Sequence, residues 1–123
     1  MKLVVLDGYT LNPGDLSWQP LEKFGDLTVY DRTKPEQVVE RIKDADIVIL
    51  NKVEMTREFL AEAKQLKYIT ILATGYDHVD LKAAKEMGIV VSNVPTYGTD
   101  SVAQFTMALI LELAHQIGQY SEA

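Results

Sequence analysis

Five short apolar runs punctuate the chain, at Leu3–Leu6, Leu27–Tyr30, Asp46–Leu50, Tyr68–Leu72 and Ile89–Val91. They are rich in β-branched and aliphatic residues and bounded by turn formers, the pattern of strands buried in a sheet. Between them the apolar period lengthens from a run to a helical spacing. Pro35–Ile42 begins with proline, which suits a first helical turn, and places Val38, Val39 and Ile42 on one face. Thr56–Ala63 offers Thr56 as N-cap and an apolar face of Phe59, Leu60 and Ala63. Asp80–Gly88 starts with a capping acid and stops at a glycine, the usual residue just past a helix C-terminus. A weaker helix is expected from Asp15 to Phe24, closed by Gly25, with Pro20 confining it to a first turn or a break.

Strands alternating with helical crossovers imply a parallel sheet with helices on both faces. Crossovers are right-handed, which prunes the arrangements. For five strands in so short a chain the expected fold is α/β and flavodoxin-like, with strand order 2-1-3-4-5.

The last segment breaks the pattern. From Asp100 to Ala114 it is apolar almost all round, and such a helix is expected to be buried on more than one side. One sheet covers only one side, so a second domain or another subunit is expected to supply the rest, unless the exterior is simply greasy. Residues 1–99 then read as the flavodoxin-like unit, and 100–123 as an apolar linker and C-terminal helix. Docking in cis would close a monomer and exchange in trans would make a swapped homodimer; both stay open.

The 123 residues suit one domain with a real core. A formal net charge of -6, with lysines and arginines scattered, argues against nucleic acid as a partner. The chain has no cysteine, which excludes disulfide scaffolds, cysteine–zinc sites and thiol chemistry. The opening run Lys2–Leu6 is too short for a signal-peptide core and is stopped by Asp7. No stretch approaches the ~18 apolar residues of a membrane span. The expected compartment is the cytoplasm.

Ligands of open α/β sheets bind beyond the carboxyl ends of the strands. Here those ends are Asp7-Gly8-Tyr9, Asn51-Lys52, Ala73-Thr74-Gly75-Tyr76 and Ser92-Asn93-Val94-Pro95. In Ala73–His78 a glycine would let the backbone turn tightly and present successive N–H groups to a carboxylate; an ordinary strand-to-helix turn explains the same residues. Of the seven glycines no two are two apart, so the GxGxxG dinucleotide fingerprint is absent, as is a Walker A spacing. His78 and His115 lack metal-ligand spacing. His78 reads as a loop residue, and His115 as a cation at a helix end, where it suits the dipole.

Five segments taken in order resemble the D-isomer-specific 2-hydroxyacid dehydrogenase family, nearest its glycerate dehydrogenase or hydroxypyruvate reductase branch. They are Val4–Asp15, Leu66–Ile69, Leu72–Asp80, Gly88–Pro95 and Ser101–Gln104. The resemblance implies that the backbone of Thr74 and Gly75 holds a substrate carboxylate, that Asn51 and Lys52 wall the pocket, and that Tyr97 closes over substrate. It implies that Val102 lies near the nicotinamide. Packing alone would also account for Tyr97 and Val102. It further implies that the NAD(P)-binding GxGxxG domain, and the family's catalytic arginine, glutamate and histidine, follow Ala123. The expectation is therefore a substrate-binding fragment or isolated domain. It would hold no cofactor of its own, be inactive alone, and bind a small 2-keto or 2-hydroxy acid weakly.

Two other classes compete. A non-catalytic, self-associating module would follow from the last helix. A receiver-like signalling domain could use Asp7 and Thr74, but has Asn51 where a phosphorylatable aspartate belongs and Ser92-Asn93 where a lysine belongs. A flavodoxin proper would need a hydroxyl- and glycine-rich phosphate loop after the first strand, which Asp7–Asp15 lacks.

Overall fold

The strands pair in the register that the apolar runs require. In the computed structural model, which describes residues 1–123, β1 (Lys2–Val5), β2 (Asp26–Val29), β3 (Ile47–Leu50), β4 (Tyr68–Ile71) and β5 (Val90–Ser92) form one parallel sheet. Its order is β2-β1-β3-β4-β5, as the crossover argument predicts. Leu3 pairs with Ile47, Ile47 with Tyr68 and Tyr68 with Val90, so these four side chains share one face of the sheet.

The opposite face carries the core. Val4, Val48, Leu50, Ile69 and Ile71 from the strands meet Val38 and Ile42 of α3 (Pro35–Ile42), Leu60 of α4 (Arg57–Glu62) and Ala83 and Ala84 of α5 (Leu81–Glu86). Side chains such as Ile42, Leu60, Ile69 and Ile71 are almost wholly buried, each contributing roughly 1.5–3 kcal/mol of apolar transfer. The helices begin where the sequence places caps. Thr56 Oγ1 accepts from Phe59 N at 3.3 Å, and Asp80 Oδ1 accepts from Ala83 N at 2.8 Å. α5 ends at Gly88, whose φ of +73° is the left-handed turn that glycine tolerates.

On the sheet's other face Leu3, Val5 and Ile49 are buried, whereas Tyr68, Thr70 and Ser92 toward the β5 edge are half-buried. Those three hydroxyls bond among themselves: Tyr68 Oη with Ser92 Oγ, and Ser92 Oγ with Thr70 Oγ1 at 3.4 Å.

One expectation needs correction, and one turn was not expected. The helix foreseen over Asp15–Phe24 reduces to the single turn α2 (Gln19–Glu22), with Pro20 inside it. Ahead of it the Asn12 side chain holds an open loop, accepting from Gly14 N and Leu16 N and donating to Leu16 O. An unforeseen turn, α1 (Gly8–Leu11), sits directly after β1, pinned by Gly8 N to Tyr30 O at 2.8 Å and Tyr9 N to Asp31 O at 3.2 Å. The last segment is helical, as α6 (Thr99–His115) and α7 (Ile117–Glu122). Yet every residue from Thr99 to Ala123 is exposed, including Phe105, Leu109, Ile110 and Leu113. It does not dock on its own sheet. Its N-terminus follows Thr96, a β-branched residue held at φ +63°, an uncommon and strained conformation. No helix of the chain is long and apolar enough to cross a membrane.

Candidate functional site

β1 and β3 are neighbours, so their carboxyl ends meet, and a buried acid joins them. Asp7, only 4% exposed, accepts from Asn51 N through Oδ1 at 2.8 Å and from Lys52 N through Oδ2 at 2.6 Å. Both carboxylate oxygens are thereby satisfied, as burial of the group demands. The Asn51 side chain donates to Thr10 Oγ1 at 3.0 Å, and Thr10 Oγ1 donates back to Asp7 O at 2.8 Å. The loop carrying Asn51 and Lys52 is thus fixed from two sides by residues of the first strand end and α1. The sequence reading missed Asp7 as the residue that positions this loop. The available signal was a lone acid placed directly after a run buried in a parallel sheet.

The end of β4 is built differently. Asn93 Nδ2 donates to Thr74 O at 2.8 Å, Thr74 Oγ1 donates to Val94 O at 3.0 Å, and Val94 N donates to Ala73 O at 3.1 Å. These bonds tie Ala73-Thr74 to the end of β5. The N–H groups of Thr74, Gly75, Tyr76 and Asp77 donate to no atom of the chain, and all four residues are exposed. A run of free N–H groups at a strand's carboxyl end is a donor set for a small anion. Gly75 does not owe its place to a tight turn, contrary to expectation. Its φ is not left-handed, and an added Cβ would meet nothing nearer than Asp77 Oδ1 at 3.7 Å. The missing side chain leaves open backbone instead. Beside it Tyr76, with Ile71, Leu81, Val91, Ser92 and Asn93, lines a hollow of about 210 Å³.

Asn51 and Lys52 therefore stand at the end of β3, and Thr74 and Gly75 beyond the end of neighbouring β4, on one edge of the sheet. Tyr97 and Val102 are not brought to them: they are 67% and 66% exposed, at the foot of α6. In this chain neither is a packing residue. His78 lies in the loop after β4, as expected, with its side chain largely buried and Nε2 without a partner. His115 occupies the last turn of α6, as expected. The residues present do not fit a nicotinamide dinucleotide. The glycines lack the spacing of a phosphate cradle, and Val102 stands exposed on α6.

Comparison with known proteins agrees with this architecture. Residues 4–121 match the family described as D-isomer specific 2-hydroxyacid dehydrogenase, catalytic domain. A hydroxypyruvate reductase from Blautia hydrogenotrophica is 53% identical over 125 residues, covering 99% of this chain and 39% of that protein. Among solved structures, an acyclic imino acid reductase in complex with NADPH and D-Arg superposes with a TM-score of 0.83 at 30% identity, covering 99% of this chain and 40% of that one. An NAD+-bound 3-phosphoglycerate dehydrogenase of Entamoeba histolytica superposes with a TM-score of 0.73 at 29% identity, covering 91% and 38%. The chain thus spans about 40% of the length of these relatives.

Proposed function

The chain belongs to the D-isomer-specific 2-hydroxyacid dehydrogenase family, and on that footing we propose that it is the substrate-binding part of an NAD(P)H-dependent reductase of small 2-keto acids. Hydroxypyruvate or glyoxylate is the favoured substrate, and the reaction would run in the cytoplasm. The free N–H groups of Thr74 and Gly75 receive the substrate carboxylate, a role supported by their lack of any partner in the chain. Asn51 and Lys52, held by Asp7, wall the same edge. NAD(P)H would supply the hydride, from residues other than these. Tyr97 and Val102, exposed at the start of α6, would face substrate and nicotinamide only once another element covers them.

The reading makes the 123 residues inactive by themselves, because the hydride donor would be held by residues other than these. The test is hydroxypyruvate reduction by the purified chain with NADH and with NADPH, paired with an amide-resolved titration of hydroxypyruvate. Absence of turnover, with amide shifts centred on Thr74–Asp77, is the expected result. Turnover, or shifts elsewhere, would overturn it.

The exposed apolar surface of α6 favours a second, compatible property, self-association into a homodimer through that helix. The receiver-like alternative loses its acid. Both oxygens of Asp7 are committed to backbone N–H groups, and no cluster of three His, Asp or Glu side chains is placed to hold a metal.

A further inference from the structure

A second hollow at the carboxyl edge of the sheet lies away from Thr74 and Gly75. It measures about 550 Å³ and lies where the loops after β1, β2 and β3 meet the starts of α3 and α4. That volume suits a small organic ligand. Three cations line it, Arg32, Lys34 and Lys52, in a chain whose net charge is -6. None is paired: the one ion pair formed by a lysine or arginine is Arg57–Glu86. Two acids share the wall, Glu54 and Asp7, whose carboxylate is held by two backbone N–H groups, so three cations face two carboxylates.

The walls are held rigid. Thr33 Oγ1 donates to Leu6 O and accepts from Arg41 Nη1 at 2.7 Å, while Arg41 also donates to Arg32 O at 2.7 Å and stacks on Tyr30 at 3.9 Å. The Arg32 guanidinium sits 5.2 Å from the centre of the Tyr9 ring. Lys34 N donates to Gln37 Oε1 at 3.0 Å, fixing the turn into α3. The Lys52 backbone is anchored by Asp7 through its N–H. The backbone that carries the three cations is therefore fixed, while their exposed, unpaired side chains remain free to close on a ligand. Val38, Phe59 and the Pro35 ring add apolar wall.

We propose that this hollow is an anion site distinct from the Thr74-Gly75 carboxylate site. Its ligand is a small organic dianion with an apolar body, a phosphate ester or a dicarboxylate. The site stands on its own geometry and does not depend on the dehydrogenase reading. Lys52 lines this hollow as well as standing beside Asn51 at the end of β3.

The experiment is an amide-resolved NMR titration of the whole chain with phenyl phosphate, with phthalate and with inorganic phosphate. Saturable shifts at Thr33, Lys34 and Lys52–Glu54 are expected for at least one of the two aromatic dianions, with inorganic phosphate weaker. The tighter of the two aromatic probes identifies the source, phosphate ester or dicarboxylate. Lys34→Gln and Arg32→Gln should each weaken binding about fivefold, the loss of one charge-assisted contact. Both side chains are exposed, so a well-dispersed spectrum of either variant keeps the comparison valid. Three results would overturn the proposal: shifts that never saturate and appear equally at Lys82 and Lys85, binding indifferent to both substitutions, or shifts confined to Thr74–Asp77. The last would place the anion in the carboxylate site and leave that reading intact.

Discussion

The carboxylate of Asp7 and the backbone N–H of Lys52, 45 residues apart in sequence, meet at 2.6 Å inside the sheet edge. Asp7→Ala would leave the part-buried N–H groups of Asn51 and Lys52 without acceptors. Two hydrogen bonds to a charged group, at roughly 1.5–3 kcal/mol each, put the loss at about 3–6 kcal/mol. Urea unfolding would read this as a lower midpoint at unchanged slope. A midpoint within error of the parent would show that the clamp contributes nothing to stability. Asp7→Asn, which keeps one acceptor oxygen, should fall between.

Glycine substitution should separate fold from binding. At Gly25 φ is +154°, and a methyl group would collide with the Met1 carbonyl oxygen and press on Leu3. Gly25→Ala should therefore cost about 2–3 kcal/mol. Gly75→Ala meets only Asp77 at 3.7 Å and should leave stability within about 0.5 kcal/mol. The same methyl would cover the free N–H groups and weaken hydroxypyruvate binding. Thermal melts and the amide titration together check both halves. Equal loss of stability at the two positions would remove the argument for a ligand at Gly75.

The two caps differ in geometry and should differ in worth. Asp80→Ala breaks a 2.8 Å bond to Ala83 N, and Thr56→Ala a 3.3 Å bond to Phe59 N. Each loss should cost about 1 kcal/mol, with Asp80 the larger, since its carboxylate also favours the helix N-terminus. Chemical denaturation of the two single variants gives the order directly.

α6 presents Phe105 at 64% and Leu113 at 81% exposure. If the helix mediates a homodimer, Phe105→Glu and Leu113→Glu should each shift the mass by light scattering toward the monomer and leave the sheet's unfolding midpoint unchanged. A parent chain that is already a monomer, and binds no dye specific for apolar surface, would rule out the homodimer.

Much of this architecture was legible because it is local. The runs Leu3–Leu6 and Asp46–Leu50 announce strands, and Pro35, Thr56 and Asp80 announce helix starts by the chemistry of their own side chains. What was not legible is what depends on distant partners. α1 has no helical apolar period. It forms because Gly8 and Tyr9 can donate to Tyr30 O and Asp31 O of a neighbouring strand end. The helix foreseen over Asp15–Phe24 lost to Asn12, whose side chain offers the loop a better set of bonds than a helical turn would. At the candidate site, the strand-end rule singles out Asn51-Lys52 and Ala73–His78, and the family resemblance gives them roles. Asp7 became visible only when β1 and β3 were side by side, and the cationic hollow only when Arg32, Lys34 and Lys52 were seen on one wall.

The three linked hydroxyls of Tyr68, Thr70 and Ser92 mark where the second face of the sheet stops being greasy. Had the apolar row of Leu3, Val5 and Ile49 continued to the β5 edge, the bare half of that face would be an adhesive, and copies would precipitate through it. Side chains that already bond one another lose little when water wets them and little when a neighbour dries them. The strip is in effect neutral ground between two solvents, and it parts the buried row of Leu3, Val5 and Ile49 from the exposed Val90 at the edge, so the apolar surface on that flank stays small and broken.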